Sequence, residues 1–335
     1  MKKILAMVLT AMVSMAALAG CSMPSTTEKS ADKPAQQTDK AGKKYKLAYI
    51  ARAQGDSFAS WLANAVKAEV EKKYPDMEVT VFDGQSKNDV IASHIENAVT
   101  KKFDAILLQP LDSEAQVAPM KAAAAAGVKT ATVNLRINDG DQASAVDADP
   151  VEQGAANARL AFKQIPQNAN VVVLLGPAGN THSIKRREGW QKEFFSKRPD
   201  VKIVGEQIAN WNKDEGMKFM EDWIQKTGGK IDAIISMNDN MCVGALEASK
   251  AAGIKNILAY GVDGTGEACL YIKDGRMTST TLQSAYALAE KSVKLVHDLV
   301  TGATKHDVTF IDCDLITKDN VDKFIQMHKE AGNLK

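Results

Sequence analysis

Lys46-Leu47-Ala48-Tyr49-Ile50-Ala51 opens the first regular unit of the chain and Glu78-Val79-Thr80-Val81-Phe82-Asp83 closes it, both short runs of strand-forming residues. Between them Trp61, Leu62, Ala65, Val66 and Val70 recur at the spacing of one helix face. Strand, amphipathic helix, strand is the pattern of a parallel pair joined by a crossover helix. The alternation continues through Asp104 to Leu108, Lys129 to Val133, Ser144 to Asp147, Val171 to Leu175, Val201 to Ile208, Ile231 to Ser236, Ile257 to Val262, Met277 to Leu282 and Val308 to Ile311. Several of these are continuous apolar runs, as strands covered by helices on both faces require. Eleven strands exceed one comfortable doubly wound sheet and no short repeat appears, so the expectation is α/β with two parallel-sheet lobes.

Local punctuation supports this reading. Val90, Ile91, His94, Ile95, Ala98 and Val99 form a second helical stripe, with His94 a packed helix residue rather than a ligand. Ser86, Ser284 and Thr317 stand where helices should start, and Asp149, Pro150 and Glu152 supply a cap, a first-turn proline and a capping-box partner. Gly127, Gly253, Gly275 and Gly302 stand where helices should end, while Pro119 delays or kinks the helix after Ser113.

The 335 residues carry 42 Lys plus Arg against 41 Asp plus Glu, a net charge of +1, which disfavours nucleic acid as a partner. A hydrophobic content of 45% excludes a disordered chain. Met1-Lys2-Lys3, the apolar run Ile4 to Leu18 and the small residues Ala19 and Gly20 read as an export signal, too short to span a bilayer. Leu18-Ala19-Gly20-Cys21 resembles a bacterial lipobox, which implies cleavage after residue 20 and lipidation of Cys21. Residues 21–44 then form a polar, flexible spacer. The remaining Cys242, Cys269 and Cys313 are odd in number and widely spaced, giving no disulfide framework and no metal pattern. They read as small buried residues, with at most one pair able to bridge.

In open parallel sheets ligands lie beyond the carboxyl ends of the strands. Those positions hold Arg52, Asp56, Phe58, Gln109, Asp112, Asn134, Arg136, Asn180, His182, Arg186, Trp211, Asn238, Asp239, Asp263 and Gln283. Carboxylates, amides and guanidinium groups match hydroxyls, and Phe58 and Trp211 offer flat apolar faces, so the chemistry is that of binding a polyhydroxylated molecule. Plainer readings stand beside it. Asn238 and Asp239 also fit as helix caps, Asp263 as a turn residue, Phe58 and Trp211 as core, and His182 as a surface loop residue. Gly176 to Gly179 is too short for a phosphate-binding loop.

At these positions the sequence resembles the ribose- and galactose-type periplasmic binding proteins, the sugar receptors of ABC importers. The likeness runs from about Lys46 to Leu315. It rests on Ile106-Leu107-Leu108-Gln109-Pro110-Leu111-Asp112-Ser113, on Gly176-Pro177-Ala178-Gly179 leading into Arg186-Arg187-Glu188-Gly189-Trp190, on Asn238-Asp239-Asn240-Met241, and on Gly261-Val262-Asp263-Gly264-Thr265. The resemblance implies two similar lobes, 45–148 with 284–312 and 149–283 with 313–335, joined by three hinge strands around a ligand cleft. It implies ligand contacts at Asp56, Phe58, Gln109, Asn134, Trp211, Asn238, Asp263 and Gln283. The chain departs from the ribose receptors at Asn134-Leu135, with Arg136 one place later, and at Ile184, leaving His182 or Arg186 to substitute. Hexoses and cyclic polyols therefore stand beside ribose as ligands. The acidic calcium-loop pattern of the galactose receptors is missing from the sequence, so neither metal nor cofactor is expected.

No nucleophile elbow, HExxH or dinucleotide fingerprint occurs, so the expectation is a binding protein and not an enzyme. The expected partners are a sugar or polyol, an ABC permease and, through Cys21, the outer face of the membrane, with the receptor a monomer. Presentation of the ligand to a membrane kinase or chemoreceptor is the alternative; a secreted glycosidase using Asp56 and Asp263 is the remoter one.

Overall fold

The computed structural model describes residues 44–334. The export signal, Cys21 and all but the last residue of the spacer lie outside the described residues. In chain order the first lobe contains β1 (Tyr45–Ala51), α1 (Ser57–Lys73), β2 (Met77–Asp83), α2 (Asn88–Thr100), β3 (Ala105–Leu108), α3 (Val117–Ala125), β4 (Lys129–Val133) and β5 (Ser144–Ala148). The second contains α4 (Pro150–Gln164), β6 (Asn170–Leu175), α5 (Thr181–Glu193), β7 (Lys202–Ile208), α6 (Lys213–Thr227), β8 (Ala233–Ser236), α7 (Asp239–Ala251), β9 (Leu258–Asp263), α8 (Gly266–Lys273) and β10 (Ser279–Leu282). The chain then returns to the first lobe with α9 (Ala285–Thr301) and β11 (Val308–Ile311), and ends in the second with β12 (Leu315–Thr317) and α10 (Val321–Glu330).

The first sheet runs β11-β5-β4-β3-β1-β2 and the second β12-β10-β9-β8-β6-β7. All pairings are parallel except β10 with the three-residue β12, a strand too short to leave a pattern in the sequence. The chain passes between the sheets three times, around Asp149, around Gln283 to Ser284, and across residues 312–314.

The period of two in β1 explains the layering. Leu47, Tyr49 and Ala51 pack on one face with Trp61, Leu62 and Val66 of α1, while Ala48 and Ile50 pack on the other with Ile91 and Ile95 of α2 and Met120 of α3. A strand buried on both faces must be apolar throughout, which is how this one reads. Asp149 caps α4 by accepting from Val151 N and Glu152 N, with Pro150 in the first turn, and Ser284 caps α9. Gly302 ends α9 at φ +81°, a conformation open to residues without a Cβ. Two expected caps fall elsewhere. Lys87, not Ser86, precedes α2, and Asn320, not Thr317, precedes α10, because Thr317 is taken into β12. Pro119 is the third residue of α3, which accordingly starts late.

Candidate functional site

Residues that follow or end strands of both sheets meet at one cavity of about 10 Å³, with Arg52, Asn134 and Leu135 on one side and Arg186, Trp211, Asn238, Asp263 and Gln283 on the other. That is room for about one water molecule, so the two lobes are closed on each other. Contacts from lobe to lobe hold this arrangement. Asn180 Nδ2 donates to Leu111 O at 2.9 Å, Ser113 and Thr181 hydroxyls lie 2.6 Å apart, and His182 Nε2 lies 2.9 Å from Asp147 Oδ1.

Four side chains, two from each lobe, share one pattern. Asp56, the N-cap of α1, accepts on Oδ1 from Ala59 N at 2.7 Å and Arg52 Nη2 at 2.8 Å, and its buried Oδ2 has no partner. Asn134 accepts on Oδ1 from Gln109 Nε2, leaving Nδ2 unpartnered. Asn238 caps α7 by accepting from Met241 N on Oδ1, leaving its Nδ2 likewise. Asp263 accepts on Oδ1 from Gln283 Nε2 at 3.3 Å and keeps Oδ2 free. Each lobe thus fixes one acceptor and one donor by their inner atoms and leaves the outer atom unused. A buried polar atom without a partner costs about 1–3 kcal/mol; Asn134, Asn238 and Asp263 line the cavity and Asp56 adjoins it through Arg52, so the cleft calls for an occupant that supplies both donors and acceptors.

Behind them a fully buried network sets their orientation. Arg186 can only donate, and it does so from Nε to Gln153 Oε1 at 2.8 Å, from Nη1 to Met237 O at 2.7 Å and from Nη2 to Gln283 Oε1 at 3.0 Å. Gln153 Nε2 then donates to Gln283 Oε1, so Gln283 must turn its own Nε2 toward Asp263. The remaining contact of Nη2, to His182 Nδ1 at 3.4 Å, fixes the tautomer in which Nε2–H donates to Asp147. Both His182 nitrogens are therefore engaged inside the protein. Gly154 permits this packing of α4 on α5, since a Cβ there would come within 2.1 Å of Arg186 O.

Burial pushes the Asp263 carboxyl well up, opposed by the Arg186 guanidinium, raised further by Asp239 and Asp56, and lowered by Arg52. Burial likewise pushes Asp239 up to about 7 against hydrogen bonds from Thr280 and Thr265. Asp239 ties α7 to the start of α8 and to β10, a structural role distinct from either ligand contact or cap. Burial lowers His182 despite Asp147, so its ring stays neutral.

The other expected residues fall into place unevenly. Gln109 is fully buried behind Asn134, with both amide ends engaged, by Asn134 Oδ1 and by Arg52 N. Phe58 packs edge-on against Trp61 in the core of the first lobe, 1% exposed, and does not line the cavity. Arg136 lines a separate groove of about 730 Å³, where it pairs with Asp141 and lies over Phe310. Arg52, outside the expected contact set, is a cleft residue. The signal for it was an arginine four residues before Asp56, the spacing at which the two pair. Gln153 gave no signal, because a glutamine on a helix face is ordinarily a solvated residue. Cys242, Cys269 and Cys313 are free thiols.

Residues 47–304 match the periplasmic binding protein domain. A xylitol-binding protein of Mycolicibacterium smegmatis is 31% identical over 244 residues, 72% of this chain and 69% of that one. A ribose import binding protein of Bacillus subtilis is 27% identical over 302 residues, 90% of this chain and 94% of the other. The solved structure of a Caulobacter myo-inositol binding protein bound to myo-inositol superposes with a TM-score of 0.79 at 26% identity, covering 85% of this chain and 97% of that one. Two parallel-sheet lobes, a polar cleft at their strand ends and a match over most of the chain make this protein a member of the periplasmic binding protein family.

Proposed function

We propose that this chain captures a sugar or polyol between its lobes and delivers it to an ABC permease, held at the outer face of the cell membrane by a lipidated Cys21. The coarser statement stands on the family: an extracytoplasmic sugar- or polyol-binding protein of the importer type, and not an enzyme. The observation that carries the finer reading is the set of half-engaged residues Asp56, Asn134, Asn238 and Asp263. A hydroxyl both donates and accepts, so a polyol supplies donors to the two carboxylates and acceptors to the two amides at once. A ligand larger than the 10 Å³ cavity enters only when the lobes part, and one that touches both pairs favours the closed state by its difference in affinity for the two states. The three crossings between the sheets are the hinges in this reading.

Thermal unfolding with and without pentoses, hexoses, inositols and open-chain polyols tests the reading. A ligand at a hundred times its dissociation constant stabilises by about 2.7 kcal/mol. Stabilisation by amino acids or inorganic anions and by no polyol defeats it. For the tether, Cys21→Ser abolishes incorporation of labelled fatty acid and leaves ligand affinity unchanged.

A further inference from the structure

Asp263 reaches the cleft from a strained turn. Its φ is +126°, a conformation that a residue with a Cβ rarely adopts, and Gly264 follows at φ +72°. Such a backbone persists only where its surroundings over-determine it. Here four consecutive backbone groups are each held. Asp263 O accepts from Gln283 N at 3.0 Å, Gly264 N donates to Thr280 Oγ1 at 3.2 Å, Gly264 O accepts from His328 Nε2 at 2.8 Å, and Thr265 N donates to Asp239 Oδ2 at 2.8 Å. Three of these partners lie in β10, just after it, or at the start of α7. His328 is different, because it comes from α10, the last helix of the chain, 64 positions from Gly264.

A carbonyl oxygen only accepts, so Nε2 of His328 carries the proton and donates. The ring is 1% exposed and its Nδ1 has no partner; burial lowers its pKa against the bond to Gly264 O, so the ring stays neutral. The other donor near Gly264 O, the thiol of Cys269 with Sγ at 3.8 Å, is too weak to replace it. β9, β10, α7 and α10 all belong to the second lobe, so these bonds do not depend on how far the lobes are closed. In the closed arrangement the first lobe meets the same helix. Trp61 of α1 lies 4.7 Å from the His328 ring, centre to centre, and Asn333 Nδ2, just after α10, donates to Tyr286 OH of α9 at 2.8 Å.

We infer that His328 is a positioning residue of the binding site, acting through Gly264 O to hold Asp263 in the conformation that turns Oδ2 to the ligand before the ligand arrives. His328 does not line the cavity between the lobes, so its effect on affinity passes through the turn. An acceptor already ordered in the free protein need not be ordered on binding, and losing the N–H therefore lowers affinity as well as stability. The inference rests on the polyol-receptor reading above.

The test is calorimetry with xylitol, ribose and myo-inositol on wild type, His328→Phe, His328→Gln, Asp263→Ala and the combination of Asp263→Ala with His328→Phe. His328→Phe keeps a ring against Trp61 and removes the N–H, whereas His328→Gln removes the ring and keeps an N–H near the position of Nε2. For whichever compound binds wild type most tightly, the expected result is a loss of ten-fold or more in His328→Phe and affinity within three-fold of wild type in His328→Gln. Adding His328→Phe to Asp263→Ala should cost nothing further. Affinity within three-fold of wild type in His328→Phe overturns the inference. So does an equal loss in His328→Gln, and so does a full ten-fold loss on top of Asp263→Ala, the result a merely structural residue gives. Each of these leaves the receptor reading standing, while no binding of any of the three compounds to wild type removes that reading and this inference with it. Should His328→Phe not fold, the imidazole N–H of His328 in ligand-free wild type decides: a proton that exchanges slowly with solvent supports the preset turn, and one that exchanges like a free imidazole overturns it.

Discussion

His182 Nε2 and Asp147 Oδ1 are 2.9 Å apart, and they belong to different lobes: Asp147 to β5, just before the first crossing, and His182 to the first turn of α5. Both side chains are 5% exposed. The contact is an interlobe strut beside the first crossing between the sheets, made by a neutral imidazole donating to a carboxylate. A strut that exists only when the lobes are closed biases the free protein toward closure.

His182→Ala therefore shifts the ligand-free protein toward an open form. The expected outcome is a larger radius of gyration by small-angle scattering without ligand, the wild-type value at saturating ligand, and affinity weaker by roughly ten-fold, or about 1.4 kcal/mol. An unchanged ligand-free radius refutes the strut.

Arg52 neutralises Asp56 and lies over Trp211. Arg52→Met leaves a buried carboxylate without its cation, a change that costs about 3 kcal/mol when the pair is desolvated. Chemical denaturation should show that loss, and Asp56→Asn combined with Arg52→Met should recover part of it. Additive losses in the double variant refute the pairing energy.

Asp263 presents Oδ2 while Gln283 holds Oδ1. Asp263→Asn replaces an acceptor by an amide that cannot satisfy both sides, and calorimetry should find affinity lower by about 1–3 kcal/mol with the lobes still folded. Undiminished affinity removes Asp263 from the ligand contacts.

Asp239 gives a pH dependence of definite sign. Its carboxyl ionises near 3.8 when free and is pushed up to about 7 by burial, so the unfolded chain binds fewer protons than the folded one between those values. Stability from this group is present below about pH 4 and falls as pH rises toward 7, at most ~1.4 kcal/mol per unit. In Asp239→Asn that decline disappears from the stability curve. A wild-type curve that rises relative to the variant across this window contradicts the assignment.

Gly154→Ala tests the packing of α4 on α5. The added methyl meets Arg186 O at 2.1 Å, so the helices must part, a cost of about 1–3 kcal/mol that exceeds the ~1 kcal/mol helix-propensity gain. A melting temperature at or above wild type shows that the helices adjust freely.

The sequence by itself determined the fold class and the position of nearly every element. Leu47 to Ala51, Ile106 to Leu108 and Val171 to Leu174 are apolar because both faces of their sheets are covered, and that requirement is written residue by residue. Asp149, Ser284 and Gly302 marked their helix ends because capping is a contact between near neighbours in the chain. It also located the cleft, since the ends of parallel strands are fixed once the strands are. Tertiary structure alone decided what each cleft residue does. Phe58 and Trp211 are both aromatic residues beyond a strand, yet one packs in the core and the other ends at the cavity, because Gly176 and a left-handed turn aim the second. His182 became a strut because Asp147, 35 positions away, reaches it across the lobes, and Gln153 mattered because it meets Gln283, 130 positions away. Contacts at such separations leave no periodicity in one sequence, so the partner of a polar side chain, and with it the atom left over for a ligand, is set only when the lobes are folded and closed.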